Sequence, residues 1–317
     1  MSALDEFSLI QRYFTSSLLP APVLLGVGDD CALLQLPPDE VLAVSVDTQV
    51  SGVHFPTSTA PRLLGARALH CAASDLAAMG AVPLGFTLAL TMPDANEAWL
   101  SEFSAGLLTA ATTLQCPLIG GDTTRGPLSV GVQVHGSVPP GSALRRNGAR
   151  VGDDIWVSDT LGDGAAALAM LEGRLTVSAD AADWLHRRFF QPDVAIDLGV
   201  ALRGVATACI DVSDGLLADL GHLVRASGVA ASVALVALPL SPVWRSATHL
   251  AQAQQWALTG GDDYRLCFTA PPVARAAVQT AWPTARCVGG IVAGAGVQLH
   301  DETGASLVLS SSGFRHF

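Results

Sequence analysis

An apolar run that breaks at glycine or a small residue and delivers an aspartate recurs five times in this chain, and it constrains the fold more than any other feature. The fullest copy is LIGGDTTR (118–125), and the others are GDD (28–30), VSVD (44–47), IDVSD (210–214) and TGGDD (259–263). A strand that stops at Gly120-Gly121 would release Asp122 from its end, with backbone open to a ligand because glycine has no Cβ. The five segments are expected to meet.

A chain of 317 residues exceeds the usual size of a single core, so two domains are expected. Half of the residues are hydrophobic and 14% are charged, which excludes disorder, and no apolar run approaches the roughly 18 residues of a membrane span. The start, MSALDE, is acidic and lacks the basic and apolar parts of an export signal, so a soluble cytoplasmic protein is expected. A net charge of −11 with no basic stripe argues against nucleic acid as a partner. Six cysteines without a CxxC pair read as buried free thiols, not as a disulfide frame or zinc site. Among the 28 acidic residues six are Glu, leaving 22 Asp, many beside Gly or Ser. Short carboxylates in turns suit hard cations such as magnesium.

Taken in order, the pattern predicts a helix over 7–14, strands over 23–27 and 41–46 with Asp47 at the end of the second, and a helix over 62–79 with Pro61 in its first turn. Asp75 lies inside that otherwise nearly uncharged helix, where a lone carboxylate is costly unless paired or metal-bound. A strand over 84–92, a helix over 96–114 and strands over 117–120 and 128–138 follow, with a split β-α-β character. PPGSA (139–143) breaks the chain, giving domains at 1–140 and 148–317. The second half restarts with a strand over 154–158 and a glycine-led turn at Gly162 that could receive phosphate oxygens. Helices over 181–190, 195–206 and 216–226 and strands over 207–212, 230–238, 264–269, 287–292 and 307–309 complete an α/β reading.

Two carboxylates 4 Å apart repel by roughly 4 kcal/mol at an effective dielectric of 20. If Asp30, Asp47, Asp75, Asp122, Asp211 and Asp214 share one cleft, divalent metal is needed, and oxygen ligands without His or Cys select magnesium over zinc. Magnesium commonly shares its shell with substrate phosphates, which points to a nucleotide. Each copy also has a plainer reading. Asp after Gly is a turn former, Ser213-Asp214-Gly215 could be a helix cap, and His54 could be an ordinary loop histidine. Neither a Walker A sequence nor the protein-kinase motif set is present, so any ATP is held differently.

Seven strings in order, GVGDDCA (26–32), SVDTQVSGVHF (45–55), SDLAAMGA (74–81), IGGDTTRGPLS (119–129), DTLGDGAAAL (159–168), IDVSDGLLADLGH (210–222) and LTGGDDYRLCF (258–268), resemble the thiamine-monophosphate kinase family. That family belongs to the ATP-binding superfamily of aminoimidazole ribonucleotide synthetase. The resemblance implies an N-terminal α/β domain that dimerises by sheet pairing into a barrel, a C-terminal α/β domain, and an active site in the cleft between them. It implies transfer of the γ-phosphoryl of ATP to thiamine monophosphate, giving thiamine diphosphate and ADP, in a homodimer.

Carried over by position, Asp30, Asp47, Asp75, Asp122, Asp211 and Asp214 match magnesium ligands, with Ser45 and the Val46 backbone beside them. Gly121, Asp122, Arg146 and Ser213 match ATP contacts, and His54, Asp262 and Phe314 match thiamine-side contacts. Since the acceptor is already a phosphate oxygen, ionised at neutral pH, no catalytic base is expected. The chain departs from the family pattern at Ala72, Asp159, Gln191-Pro192, Ala195, Asp262 and Arg265. Asp262 stands for a usual Glu, Arg265 for another Glu and Asp159 for a Gly. Two other functions fit the same residues: an ATP-dependent synthetase of the superfamily, or a non-catalytic protein that binds nucleotide or thiamine phosphate.

Overall fold

The computed structural model describes residues 6–15 and 20–307. The chain divides into two compact units, one of Met1–Leu76 with Ala81–Gly141 and one of Ala77–Gly80 with Ser142–Phe317. No helix among the described residues is long and apolar enough to cross a membrane.

The first unit runs α1 (Glu6–Phe14), β1 (Val23–Leu25), β2 (Leu33–Leu34), β3 (Val41–Val50), α2 (Pro61–Ala78), β4 (Val82–Met92), α3 (Glu97–Thr113), β5 (Leu118–Arg125) and β6 (Ser129–Val138). β1 and β2 pair with each other, and the remaining strands form one sheet in the order β3-β6-β4-β5. β6 is antiparallel to both β3 and β4, while β4 and β5 are parallel across α3. β6 therefore separates the two strands that α2 connects, which is the expected split β-α-β arrangement. Asn96 caps α3 by accepting the Trp99 amide, and Leu100, Phe103, Leu107 and Ala110 recur at helical spacing on its buried face. Each large apolar side chain fully buried there contributes roughly 1.5–3 kcal/mol. Strand alternation puts Ser45 and Asp47 on one face of β3 and Leu42, Val44 and Val46 on the other. The last three stay exposed, at 48, 48 and 61%.

Two expected strand ends move. β3 continues three residues past Asp47, and β5 continues through both glycines to Arg125, so Asp122 lies within a strand and not beyond it. Gly121 makes this continuation possible, because a Cβ there would sit 2.0 Å from the Leu88 carbonyl oxygen of β4.

The second unit contains β7 (Asp154–Val157), α4 (Asp163–Leu171), α5 (Ala179–Phe190), α6 (Ile196–Ala201), β8 (Ala208–Val212), α7 (Leu216–Ser227), β9 (Ala230–Ala234), α8 (Leu250–Thr259), β10 (Arg265–Ala270), α9 (Arg275–Ala281), β11 (Arg286–Val292), β12 (Gly296–His300) and β13 (Ser306–Leu307). The sheet order is β13-β12-β9-β11-β7-β10-β8, with only the β12–β9 pair parallel. Leu216, Leu220 and Leu223 of α7 share a core with Ile155 and Val157 of β7 and Ile210 and Val212 of β8. Here α6 ends well short of residue 206, β9 gives way to a 3-10 turn at Leu235–Ala237, and α8, α9 and β12 are elements the pattern did not announce. Each of the six cysteines is a free thiol, and Cys31 is exposed where a buried one was expected.

Candidate active site

In the first unit the charged residues gather where β3 faces α2. Asp75 is flanked by Ser74 and Leu76, each 1% exposed, so its carboxylate needs a partner. Ser45 provides one: its Oγ donates to Asp75 Oδ2 at 2.5 Å. Asp47 stands two residues along the same face, and burial pushes its carboxyl above the usual range, with the Asp75 charge adding to that. The Gln49 amide, at 3.5 Å, and the Arg67 cation oppose the shift. His54 Nδ1 accepts the Val50 amide at 3.0 Å, which leaves the ring proton of the neutral imidazole on Nε2. The Val46 side chain points away from this group, to solvent.

Asp30 and Asp122 are not part of that cluster. Asp30 is exposed in the turn after β1, its amide donating to Asp29 Oδ1 at 2.8 Å. Asp122 is exposed on β5. Asp47 lies level with Val132 of β6, Val132 with Leu88 of β4, and Leu88 with Gly121 of β5. The two carboxylates thus belong to opposite edge strands, three strand spacings or about 14 Å apart.

In the second unit β8 ends in Asp211 and Val212 and runs into Ser213-Asp214-Gly215, the entrance to α7. The N-cap position is Gly215 and no side chain caps it, so neither Ser213 nor Asp214 does the capping work their sequence allows. Asp219, one turn into the helix, reaches back instead: its Oδ2 accepts the Asp214 amide at 3.0 Å. Burial, with Asp211 next in weight, raises the Asp219 carboxyl to about 8.

The loop from Gly260 to Tyr264 lies against this turn. Asp262 and Tyr264 both adopt the left-handed backbone, with φ of +69° and +50°. For residues with a Cβ this costs about 1–2 kcal/mol each. The Asp262 amide donates to the Ser213 carbonyl at 2.9 Å and the Tyr264 amide to the Val212 carbonyl at 2.7 Å. Between them Asp263, 3% exposed, accepts the Gly162 amide at 2.6 Å and the Gly164 amide at 3.0 Å. The glycine-led turn into α4 is therefore occupied by an internal carboxylate, and the expectation that those amides receive a phosphate does not hold. Burial first, then Asp163, raises the Asp263 carboxyl to about 8 against the pull of the two amides.

A buried ionic network supports the same corner. Asp163, 1% exposed, accepts from Thr160 Oγ1 at 2.7 Å, Arg188 Nε at 2.9 Å and Trp244 Nε1 at 2.6 Å. Arg188 also donates to Asp193 at 2.7 Å. Arg265 reaches Asp193 at 3.2 Å and Asp159 at 3.4 Å.

The donor set is oxygen only. Among the described residues no three of His, Cys, Asp and Glu converge tightly enough to hold an ion by themselves. Paired carboxylates with a hydroxyl, Ser45, Asp47 and Asp75 above all, fit magnesium, which completes its shell with water and phosphate oxygens, and do not fit a closed tetrahedral zinc site. Arg146 is exposed, and its carbonyl accepts the Ser227 hydroxyl at 3.0 Å. Phe314 lies outside the described residues. Asp219 and Asp263 were not singled out from sequence. Their signals, an Asp one turn into a glycine-led helix and the second Asp of a Gly-Gly-Asp-Asp loop, are visible only once the amides they serve are placed.

Residues 28–138 match the family described as AIR synthase related protein, N-terminal domain. Over 323 aligned residues the chain is 47% identical to the thiamine-monophosphate kinase of Escherichia coli strain K12, covering 99% of each. The crystal structure of thiamine-monophosphate kinase from Stenotrophomonas maltophilia K279a superposes with a TM-score of 0.84 at 46% identity, over 90% of this chain and 93% of that one. AaThiL complexed with AMPPCP and TMP superposes with a TM-score of 0.78 at 29% identity, over 89% of each chain. With that coverage, and with the expected two-unit α/β fold in place, the chain belongs to the thiamine-monophosphate kinase family and is an enzyme of the phosphotransferase class.

Proposed function

We propose that this protein transfers the γ-phosphoryl group of ATP to thiamine monophosphate, releasing ADP and thiamine diphosphate, by direct in-line attack without a phosphoenzyme. The observation that carries the reading is the 47% identity along 99% of the E. coli kinase. The complex of AaThiL with AMPPCP and TMP supports it, since AMPPCP stands in for ATP there. The acceptor oxygen is ionised at neutral pH, so positioning and charge neutralisation carry the reaction and no side chain acts as general base.

The proposed ligands for magnesium are Asp30, Ser45, the Val46 carbonyl, Asp47, Asp75, Asp122, Asp211 and Asp214. Bound there, magnesium ions would neutralise the phosphate oxygens of ATP and of the acceptor. Gly121, Asp122, Arg146 and Ser213 are proposed to contact ATP, and His54, Asp262 and Phe314 the thiamine side. The pairing of Asp47 with Asp75 supports the metal reading, because their repulsion is what a divalent ion would relieve.

We further propose a homodimer built on the same sheet. Four strands cannot close a barrel, whereas eight can. β3 is an edge strand with a ladder partner on one side only, and Leu42, Val44 and Val46 on one face of it are exposed apolar surface that a second copy would cover. Asp47 and Asp122 of one chain are too far apart to bind the same ion, so an ion bound to both requires Asp122 from the β5 edge of a second copy. The cytoplasm is the proposed location.

The test is a coupled assay on purified protein with ATP, magnesium and thiamine monophosphate, with free thiamine as control. Equal formation of ADP and thiamine diphosphate, and none from thiamine, is the expected result. ADP with inorganic phosphate and no thiamine diphosphate would favour a synthetase-type reaction. Binding of both ligands without transfer would favour a non-catalytic role.

A further inference from the structure

We infer that Asp263 is a positioning residue for the proposed reaction: its carboxylate, by spanning the Gly162 and Gly164 amides, holds Asp262 in the backbone conformation and place from which it meets the thiamine end of the substrate. The inference rests on the kinase reading above and assigns a function to a residue that reading leaves idle.

Asp262 is held from three directions. Its amide is bonded to Ser213, and its own φ and that of Tyr264 are left-handed, a conformation neither residue adopts unless its surroundings impose it. The third constraint is α4. A Cβ on Gly164 would sit 2.5 Å from the Gly261 carbonyl oxygen and 2.7 Å from the Asp262 carbonyl carbon, so the loop packs directly on the helix entrance. A Cβ on Gly261 would sit 2.5 Å from the Ser213 carbonyl oxygen, so the other side of the loop is equally close to the Ser213-Asp214 turn. The loop is thus sandwiched between two backbone segments, and the Asp263 side chain is the clamp that ties it to α4. Hydrogen bonds from amides at both carboxylate oxygens fix its rotamer, and burial at 3% exposure removes competing water.

Asp263→Asn separates positioning from mere support. The asparagine can accept only one amide, and its NH2 then faces the other N–H donor, so the clamp opens on one side with no loss of volume. The expected result is a folded protein whose KM for thiamine monophosphate rises by about tenfold or more while its KM for ATP changes less than threefold. Direct titration with thiamine monophosphate should show the same weakening. A variant that only unfolds at lower temperature, with both KM values and the thiamine monophosphate Kd unchanged, overturns the inference. Gly164→Ala, which keeps the Asp263 side chain and pushes the loop away from the α4 amides, should give the same KM pattern.

A measurement on the unaltered protein needs neither variant. Binding of thiamine monophosphate should slow amide hydrogen exchange in residues 259–264 and 160–165 together. Protection of the first segment without the second overturns the clamp. Absence of thiamine diphosphate formation by the unaltered protein would instead sink the kinase reading, which the same assay records separately.

Discussion

Carboxylates crowd both units, but the two sets are held by different means. In the first unit Asp75 receives one hydroxyl, from Ser45, and Asp47 a long side-chain amide, from Gln49. In the second, Asp219 and Asp263 are met by backbone amides of Asp214, Gly162 and Gly164. A carboxylate satisfied by backbone N–H groups belongs to the fold, and losing it leaves buried donors without acceptors. A carboxylate pair opposed by burial and by mutual repulsion, and met by side chains and not by the backbone, costs the fold stability, so its presence is better explained by a ligand.

The largest expected effect tests that contrast on the first unit. Asp47→Asn should lower thiamine diphosphate formation by about 10³-fold, the scale of losing one preorganised charge on a reacting group. Urea unfolding of the same variant without magnesium should show equal or higher stability, because the repulsion with Asp75 is gone. A loss of more than about 1 kcal/mol would break the distinction between the two sets.

The converse holds for Asp163. Asp163→Ala leaves the Arg188 guanidinium and the Trp244 N–H buried and short of a partner, both now donating to that one carboxylate. Breaking a buried pair by removing one partner costs about 3–5 kcal/mol, to be read from the urea midpoint. A change below about 1 kcal/mol would show that the network is ornamental.

A pH dependence follows from Asp219, whose carboxyl is raised to about 8 with burial the first cause and Asp211 next. Its unfolded value is near 3.9. Between these limits the folded state holds a proton that the unfolded state has lost, so stability falls as pH rises from about 4 to about 8 and levels off above that. Thermal unfolding of the magnesium-free protein across this range should show the decline, and Asp219→Asn should flatten it. A midpoint that rises with pH in this range and is flattened by the same change would mean that the Asp214 amide, and not burial, dominates this carboxyl.

The same contrast explains what the sequence disclosed. Long periodic segments were legible: Leu216, Leu220 and Leu223 mark α7 before any coordinates, and Gly228 ends it at φ +68°. The run LAQAQQWALT of α8 was not, because it carries neither charge nor a side-chain cap to announce its start. Gly120-Gly121 read as a stop, yet β5 runs through it. A glycine pair signals open backbone, and only the neighbouring Leu88 carbonyl shows that the opening is used for strand packing. In the site, residue types and order were legible and distances were not. The string IGGDTTRGPLS gives no hint that Asp122 stands on the far edge of the sheet from Asp47. The Asp263 clamp was missed for a related reason, since a carboxylate that serves amides a hundred positions away leaves no mark near itself.

The finest test concerns two of the departures from the family pattern. Asp159 and Arg265 are far apart in sequence, and the fold makes them partners, with Arg265 Nη2 3.4 Å from Asp159 Oδ2. Both also attend to the ionic corner that carries Asp193, which is itself largely exposed, at 74%. An acid gained at one position and a base at the other would each strand a charge beside a buried network, and together they neutralise it. Their net coupling should nevertheless be small. Burial, not this arginine, leads among the influences on the Asp159 carboxyl and pushes it upward, and the separation exceeds a close ion pair. A double-mutant cycle of Asp159→Gly and Arg265→Glu should return a coupling of about 0.5–1 kcal/mol in urea unfolding. Arg265→Glu alone should cost more than the pair made together, since it adds an acid among Asp159, Asp163 and Asp193. Strict additivity would mean that the two departures arose independently and that the corner tolerates charge of either sign, as a solvated surface does.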